Sequence, residues 1–203
     1  MKKQALNILW LIFLLPGCQT GNIDHNTIQG SAAAGYEKEV WKQSDTSYIK
    51  LKSGTIKMLV DNKEEGGNYI SYSYKNKLPG LPFFVFAVQY YEGSQVLLIN
   101  GANGNEYFIN NEPRLSPDNK FLVTASLDLE AHYNPNELNV WQIESDTLKL
   151  VFSIKPSDWG PSDPMWVSNR SLNFNKNIFN RNGESTLKEM HIIELKDSSW
   201  EIK

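Results

Sequence analysis

Two segments in the second half of this chain recur in the same order at nearly one spacing, and this limits the fold more than any other feature of the sequence. Leu115-Ser116-Pro117-Asp118-Asn119-Lys120-Phe121-Leu122-Val123 aligns with Trp166 to Phe174, 51 residues later. Leu138 to Leu148 aligns with Met190 to Trp200, 52 residues later. Each unit reads as four strands: a first strand, a tight turn, a second strand, a long polar loop, a third strand, a tight turn and a fourth. A unit of this size cannot bury an apolar face alone, so repeated units stack on one another.

The residues before the repeat carry the same signals. Tyr48–Lys52 and Thr55–Val60 flank Ser53-Gly54, a hairpin turn. Lys63-Glu64-Glu65-Gly66-Gly67 reads as a turn. Tyr69–Tyr74 alternates strictly, which predicts a half-buried strand, whereas Phe83–Val88 is apolar on both faces, which predicts a central strand covered on both sides. Strands near 69–74, 83–91, 95–100 and 105–110 supply a further four-stranded unit. No stretch of the body has a sustained helical period, so the expected class is all-β, a single domain over residues 36–203.

Ser116-Pro117-Asp118-Asn119-Lys120 resembles the Ser-Pro-Asp-Gly-Lys turn of TolB-like and WD40-like β-propeller blades, with Asn119 in place of glycine. Asn tolerates positive φ best after glycine. Leu138–Ile143, with Val140-Trp141, resembles the third strand of a WD repeat. The likeness is good over about 95–155, weaker over 156–203 and poor before residue 68. It implies propeller-like four-stranded antiparallel blades, about three of them. Three blades do not close a ring. The expectation is therefore an open or incomplete propeller capped by the 36–60 hairpin, a β-sandwich-like variant, or a body that closes by dimerising.

The N-terminus has a different character. Met1-Lys2-Lys3 is basic, and Ala5–Leu15 is apolar apart from Asn7, too short for a resident membrane span. Leu15-Pro16-Gly17-Cys18 resembles the bacterial lipobox. That resemblance implies an N-terminal signal helix cleaved after residue 17, lipidation of the Cys18 thiol, and membrane attachment through the lipid. Acyl chains contribute about 0.8 kcal/mol per buried methylene, so several chains anchor firmly. Gln19 stands where an Asp implies inner-membrane retention in Gram-negative lipoproteins, which points to the outer membrane, facing the periplasm. Residues 18–35 read as the lipidated Cys and a polar tether with a span of about 20–25 Å.

Composition excludes several functions. The chain of 203 residues has one Cys, so it forms no internal disulfide and no thiolate metal cluster. Its formal charge is −3 with no basic run, which argues against nucleic acid as a partner. Loss of residues 1–17 removes two lysines and no acid, leaving 18 bases against 23 acids and a charge of −5. Motifs for a nucleophile elbow, a zinc protease, a P-loop, a dinucleotide fold and an EF-hand are absent, and no cofactor is implied.

Two loops stand out. Leu127–Glu137 places Asp128, Glu130 and His132 on one face of an extended start, with Asn134 and Asn136 following. These side chains could hold a cation, or they could form a solvated loop turned by Asn134-Pro135-Asn136. Pro156–Trp166 contains Asp158, Trp159 and Asp163; its Trp159 is either a plug on the core or an exposed anchor. In a four-stranded blade the second-to-third and fourth-to-first connections emerge on one face. Both loops should therefore meet there, joined by Tyr90-Tyr91-Glu92 and Asn110-Asn111-Glu112, to make an acidic, Asn-rich rim. Such a rim suits a non-catalytic module that binds an envelope protein, of adaptor, inhibitor or immunity type. A metal-assisted hydrolase or lyase using Asp128, Glu130 and His132 is the second reading, and a lipoprotein touching glycan or peptidoglycan the third. His191, inside an apolar strand, is expected to be structural.

The N-terminal reading generates the first prediction. Palmitate fed to cells labels the wild-type chain; Cys18→Ser abolishes the label and releases the protein from the membrane fraction. Unchanged labelling of the variant would contradict the assignment of Cys18.

Overall fold

The computed structural model describes residues 38–131, 133–179 and 185–203. These residues form fifteen strands and no helix, arranged in four antiparallel sheets. The first sheet holds β1 (Val40–Gln43), β2 (Thr46–Lys50) and β3 (Ile56–Val60). The second holds β4 (Ile70–Lys77), β5 (Phe83–Tyr90), β6 (Ser94–Asn100) and β7 (Glu106–Ile109). The third holds β8 (Arg114–Leu115), β9 (Phe121–Ser126), β10 (Glu137–Glu144) and β11 (Thr147–Ile154). The fourth holds β12 (Gly160–Ser168), β13 (Ser171–Phe179), β14 (Ser185–Lys196) and β15 (Ser199–Ile202). In every sheet each strand lies beside its neighbours in sequence, so all four are meanders.

Successive sheets pack face to face, and the alternation along each strand decides which core a side chain joins. Phe84, Phe86 and Val88 of β5, with Leu97 and Ile99 of β6, meet Val40, Ile49 and Leu59 of the first sheet. Phe83 and Val85, the odd positions of β5, turn the other way and meet Leu122 and Leu148 of the third sheet. Val123, Leu138 and Val140 face Leu172, Phe174, Ile193 and Trp200 of the fourth. The strand that is apolar on both faces is thus buried on both, as its sequence predicts. The hairpin expected at 36–60 is extended by β1 into a three-stranded sheet.

The repeated segments occupy matching places in the third and fourth sheets. Ile143 pairs with Leu148 and Leu195 with Trp200, so the 52-residue spacing holds through both hairpins. The other spacing slips: Leu115 pairs with Leu122 but Trp166 pairs with Leu172, one residue closer. The difference lies in the turns. Ser116 is buried, its Oγ donates to Asp118 Oδ1 at 2.8 Å, and it accepts from Phe121 N at 3.0 Å, so its side chain braces a wide turn. Asn119 sits in that turn at φ 57°, the conformation its identity foretells. In the fourth sheet Asn169 and Arg170 alone join Ser168 to Ser171.

Charged side chains lock the first sheet to the edge of the second. Asp61 accepts from Tyr72 N at 2.9 Å and from Lys42 Nζ at 2.7 Å, while Lys42 Nζ also donates to Tyr72 O at 2.9 Å. The outward backbone groups of Tyr72, on edge strand β4, are therefore both satisfied by one ion pair. The Asp61 side chain is 3% exposed. Asp61→Ala leaves the Tyr72 amide without its acceptor and should cost about 2–3 kcal/mol, read as a lower urea midpoint at unchanged slope. A loss below about 0.5 kcal/mol, the range of ordinary surface substitutions, would contradict the role given to this pair.

Candidate functional site

Four connections gather at one end of the second, third and fourth sheets: Tyr90–Gly93, Asn110–Pro113, the loop 127–136 and the segment 155–159. A Cβ built on Gly93 would lie 3.4 Å from Tyr133 Cβ, which puts the β5–β6 turn against the long loop. Gly160 lies against that loop from the other side, where a Cβ would clash with Leu127 Cδ1 at 2.2 Å. Asn111 Nδ2 donates to Ala125 O at 3.0 Å, which holds the β7–β8 connection beside β9. The expected grouping of these connections on one face is what the strands produce.

The long loop is closed by its own side chains. The Asp128 carboxylate accepts from Ala131 N at 3.1 Å and Asn134 N at 2.8 Å, and Asn136 Oδ1 accepts from Asp128 N at 2.8 Å. These bonds give Asp128 and Asn136 a turn-forming role. Asn134 is half-buried and Glu130 is exposed. His132, the third member of the expected cluster, lies outside the described residues. Among the described residues no three His, Cys, Asp or Glu side chains converge on a possible cation site.

The second loop is shorter than its sequence implies. β12 starts at Gly160, so Pro161, Ser162, Asp163 and Pro164 belong to a strand and not to a connection. A strand tolerates these prolines because β12 is the edge of its sheet, where a missing N–H breaks no ladder. Asp158 is exposed in the remaining loop. Trp159 is the plug: its ring stacks on Phe174 at 6.1 Å, and Lys176 Nζ lies 5.4 Å from its centre. Asp163, at φ 50°, accepts from Ser162 Oγ and from Asn175 Nδ2 at 2.8 and 3.1 Å. It lines a cleft of about 290 Å³ with Asn111, Glu112, Arg114 and Leu127. His191 stacks on the same Phe174 ring at 5.6 Å.

Beneath the loops runs a chain of polar side chains that the sequence reading did not single out. Tyr90 Oη donates to Gln95 Oε1 at 2.9 Å, Gln95 Nε2 donates to Asn110 Oδ1 at 2.9 Å, and Asn110 Nδ2 donates to Glu137 Oε1. Lys155 Nζ closes the chain on Glu137 Oε2 at 3.0 Å. One directional relay thus ties the β5–β6 turn, the end of β7, the start of β10 and the end of β11. Buried Thr124, Ser126 and Asn139 surround Glu137 on the same face of the third sheet. The available signal was alternation. Once Leu138 and Val140 face the fourth sheet, Glu137 and Asn139 must face the second, and a polar residue at a two-sided position marks a partner there.

The surface above this relay is acidic and aromatic. Tyr91 and Tyr133 are 62% and 58% exposed, and the same connections carry the exposed acids Glu92, Glu112, Glu130 and Asp158 and the exposed bases Lys155 and, at the start of β8, Arg114. Comparison with protein-family models and with curated proteins finds no match to this chain. The fold and the loop face therefore define it as an all-β protein with a braced acidic-aromatic surface.

Burial pushes the Tyr90 phenol above its ordinary range, in keeping with a neutral hydroxyl that donates to Gln95. A folded value above the unfolded one means that the stability this group contributes is whole below about pH 10 and is lost as pH rises through the folded value. Chemical denaturation across this range should show falling stability above pH 10. Tyr90→Phe should flatten that slope while leaving part of it, since burial shifts Tyr72 in the same direction. An identical alkaline slope in wild type and variant would contradict the burial of the Tyr90 phenol.

Proposed function

We propose that this chain is a lipid-anchored lipoprotein of the bacterial cell envelope and that its body is a non-catalytic module that binds another protein. Cys18 is the lipidation site, residues 18–35 are the tether, and the three four-stranded meanders are blades of an open propeller. The loop face at one end of those blades is the recognition surface. The single observation that carries this reading is that Tyr91 and Tyr133 stand exposed on connections that also carry four exposed acids and are braced from below.

Exposed tyrosines held rigid by their surroundings are suited to recognition, because they offer large contact area at small entropic cost. The exposed acids Glu92, Glu112, Glu130 and Asp158 favour a basic surface on the partner and speed its encounter at low salt. Asp128 and Asn136, occupied in closing their own loop, support the geometry of that surface and not a reaction. The Asx bonds and the relay mean that little ordering remains to be done on binding, which lowers the cost of association.

The test is cross-linking of the full-length chain in its own envelope, followed by affinity measurement with the captured partner. Tyr91→Ala and Tyr133→Ala should each weaken binding about tenfold, the size expected of a central aromatic contact, with melting unchanged. Glu130→Gln with Glu92→Gln should slow association and reduce its salt dependence. Binding unaffected by both tyrosine variants would overturn the assignment of this face.

A further inference from the structure

The two ends of the stack differ from an ordinary sheet surface. A sheet with one face in water alternates apolar inward and polar outward. β3 breaks that rule: Leu59 faces the core, yet Ile56, Met58 and Val60 all point outward and are exposed. Across the same face, Trp41 stacks on Tyr48 at 5.3 Å, and Tyr48 is the register partner of both Trp41 and Met58. The outer face of the fourth sheet breaks the rule as well. Met165 pairs with Asn173, Asn173 with Ile192 and Asn175 with Met190, and Met165, Val167, Met190 and Ile192 are exposed. Single exposed apolar residues need no explanation, but contiguous groups at both ends of a stack do.

We propose that the outer face of the first sheet docks on the outer face of the fourth sheet of a second copy, so that two copies close head to tail into one ring of eight sheets. This inference is independent of the binding role given to the loop face. Continuity with the junctions inside the chain carries it. Each of the three existing junctions sets the following sheet on the outer face of the one before it, through strands apolar on both sides. The head-to-tail contact is a fourth junction of the same kind. With two copies and a two-fold axis, both open faces are covered at once, and radial arrays of sheets close at about four to eight units.

The test is sedimentation equilibrium of the full-length chain in density-matched detergent. Wild type should sediment at twice the mass of one chain. Met58→Glu and Met190→Glu alter side chains 60% and 69% exposed, so both variants should melt as wild type does, and each should sediment as one chain. An equimolar mixture of the two should recover the double mass, because a mixed ring keeps one junction made of unaltered faces. Its midpoint of dissociation should lie between those of wild type and the single variants. A single-chain mass for wild type, dissociation by only one substitution, a mixture that stays single, or a ladder of masses beyond two would each overturn the proposal. If either variant melts early, Val60→Lys and Val167→Lys serve in its place with the same expected masses.

Discussion

Burial of β5 and β6 on both faces is the constraint on which the rest of the structure depends. Phe84, Phe86 and Leu97 fill the core toward the first sheet, and Phe83, Val85 and Leu98 fill the core toward the third. At about 25 cal/mol per Å² of apolar area removed from water, each of these side chains contributes on the order of 2 kcal/mol. Because alternate residues of one strand serve two cores, a slip of one residue would exchange every partner on both sides. The register of the second sheet therefore sets where its neighbours sit, and through them the positions of the connections that form the loop face.

The polar side chains complete what the apolar ones begin. At the turn end of the β6–β7 hairpin, buried Asn100 donates to Asp146 O at 2.8 Å and Asn103 donates to the same oxygen at 2.9 Å, which ties the second sheet to the third. At the opposite end, the relay from Tyr90 to Lys155 ties the same two sheets beneath the candidate surface. Directional bonds of this kind add less net stability than the apolar contacts but specify one arrangement of loops. A recognition surface gains from that, since a loop already held in place loses little entropy when a partner arrives.

Much of this was legible from residue pattern. The two-sided apolar run at 83–88, the hairpin at Ser53-Gly54, the turn at Asn119 and the four-strand rhythm of both repeats follow from period and turn chemistry, which are local. The grouping of connections followed from topology. Three features were not legible for physical reasons. The one-residue slip between repeats depends on the Ser116 hydroxyl bracing a wide turn, a side-chain bond that no spacing reveals. The start of β12 among prolines depends on its edge position, a property of the sheet and not of the segment. The relay joins residues 90, 95, 110, 137 and 155, separate in sequence and brought together only by sheet packing.

The most direct test of the central claim, that the loop face is held in one conformation before any partner binds, is amide hydrogen exchange of the full-length chain. The amides of Asp128, Ala131 and Asn134 are bonded to Asn136 and Asp128 side chains. The account predicts exchange at least tenfold slower than in a free peptide of the same sequence, a protection of about 1.4 kcal/mol or more. Exchange of all three at the free-peptide rate would show a loop that is not held, and would contradict the account.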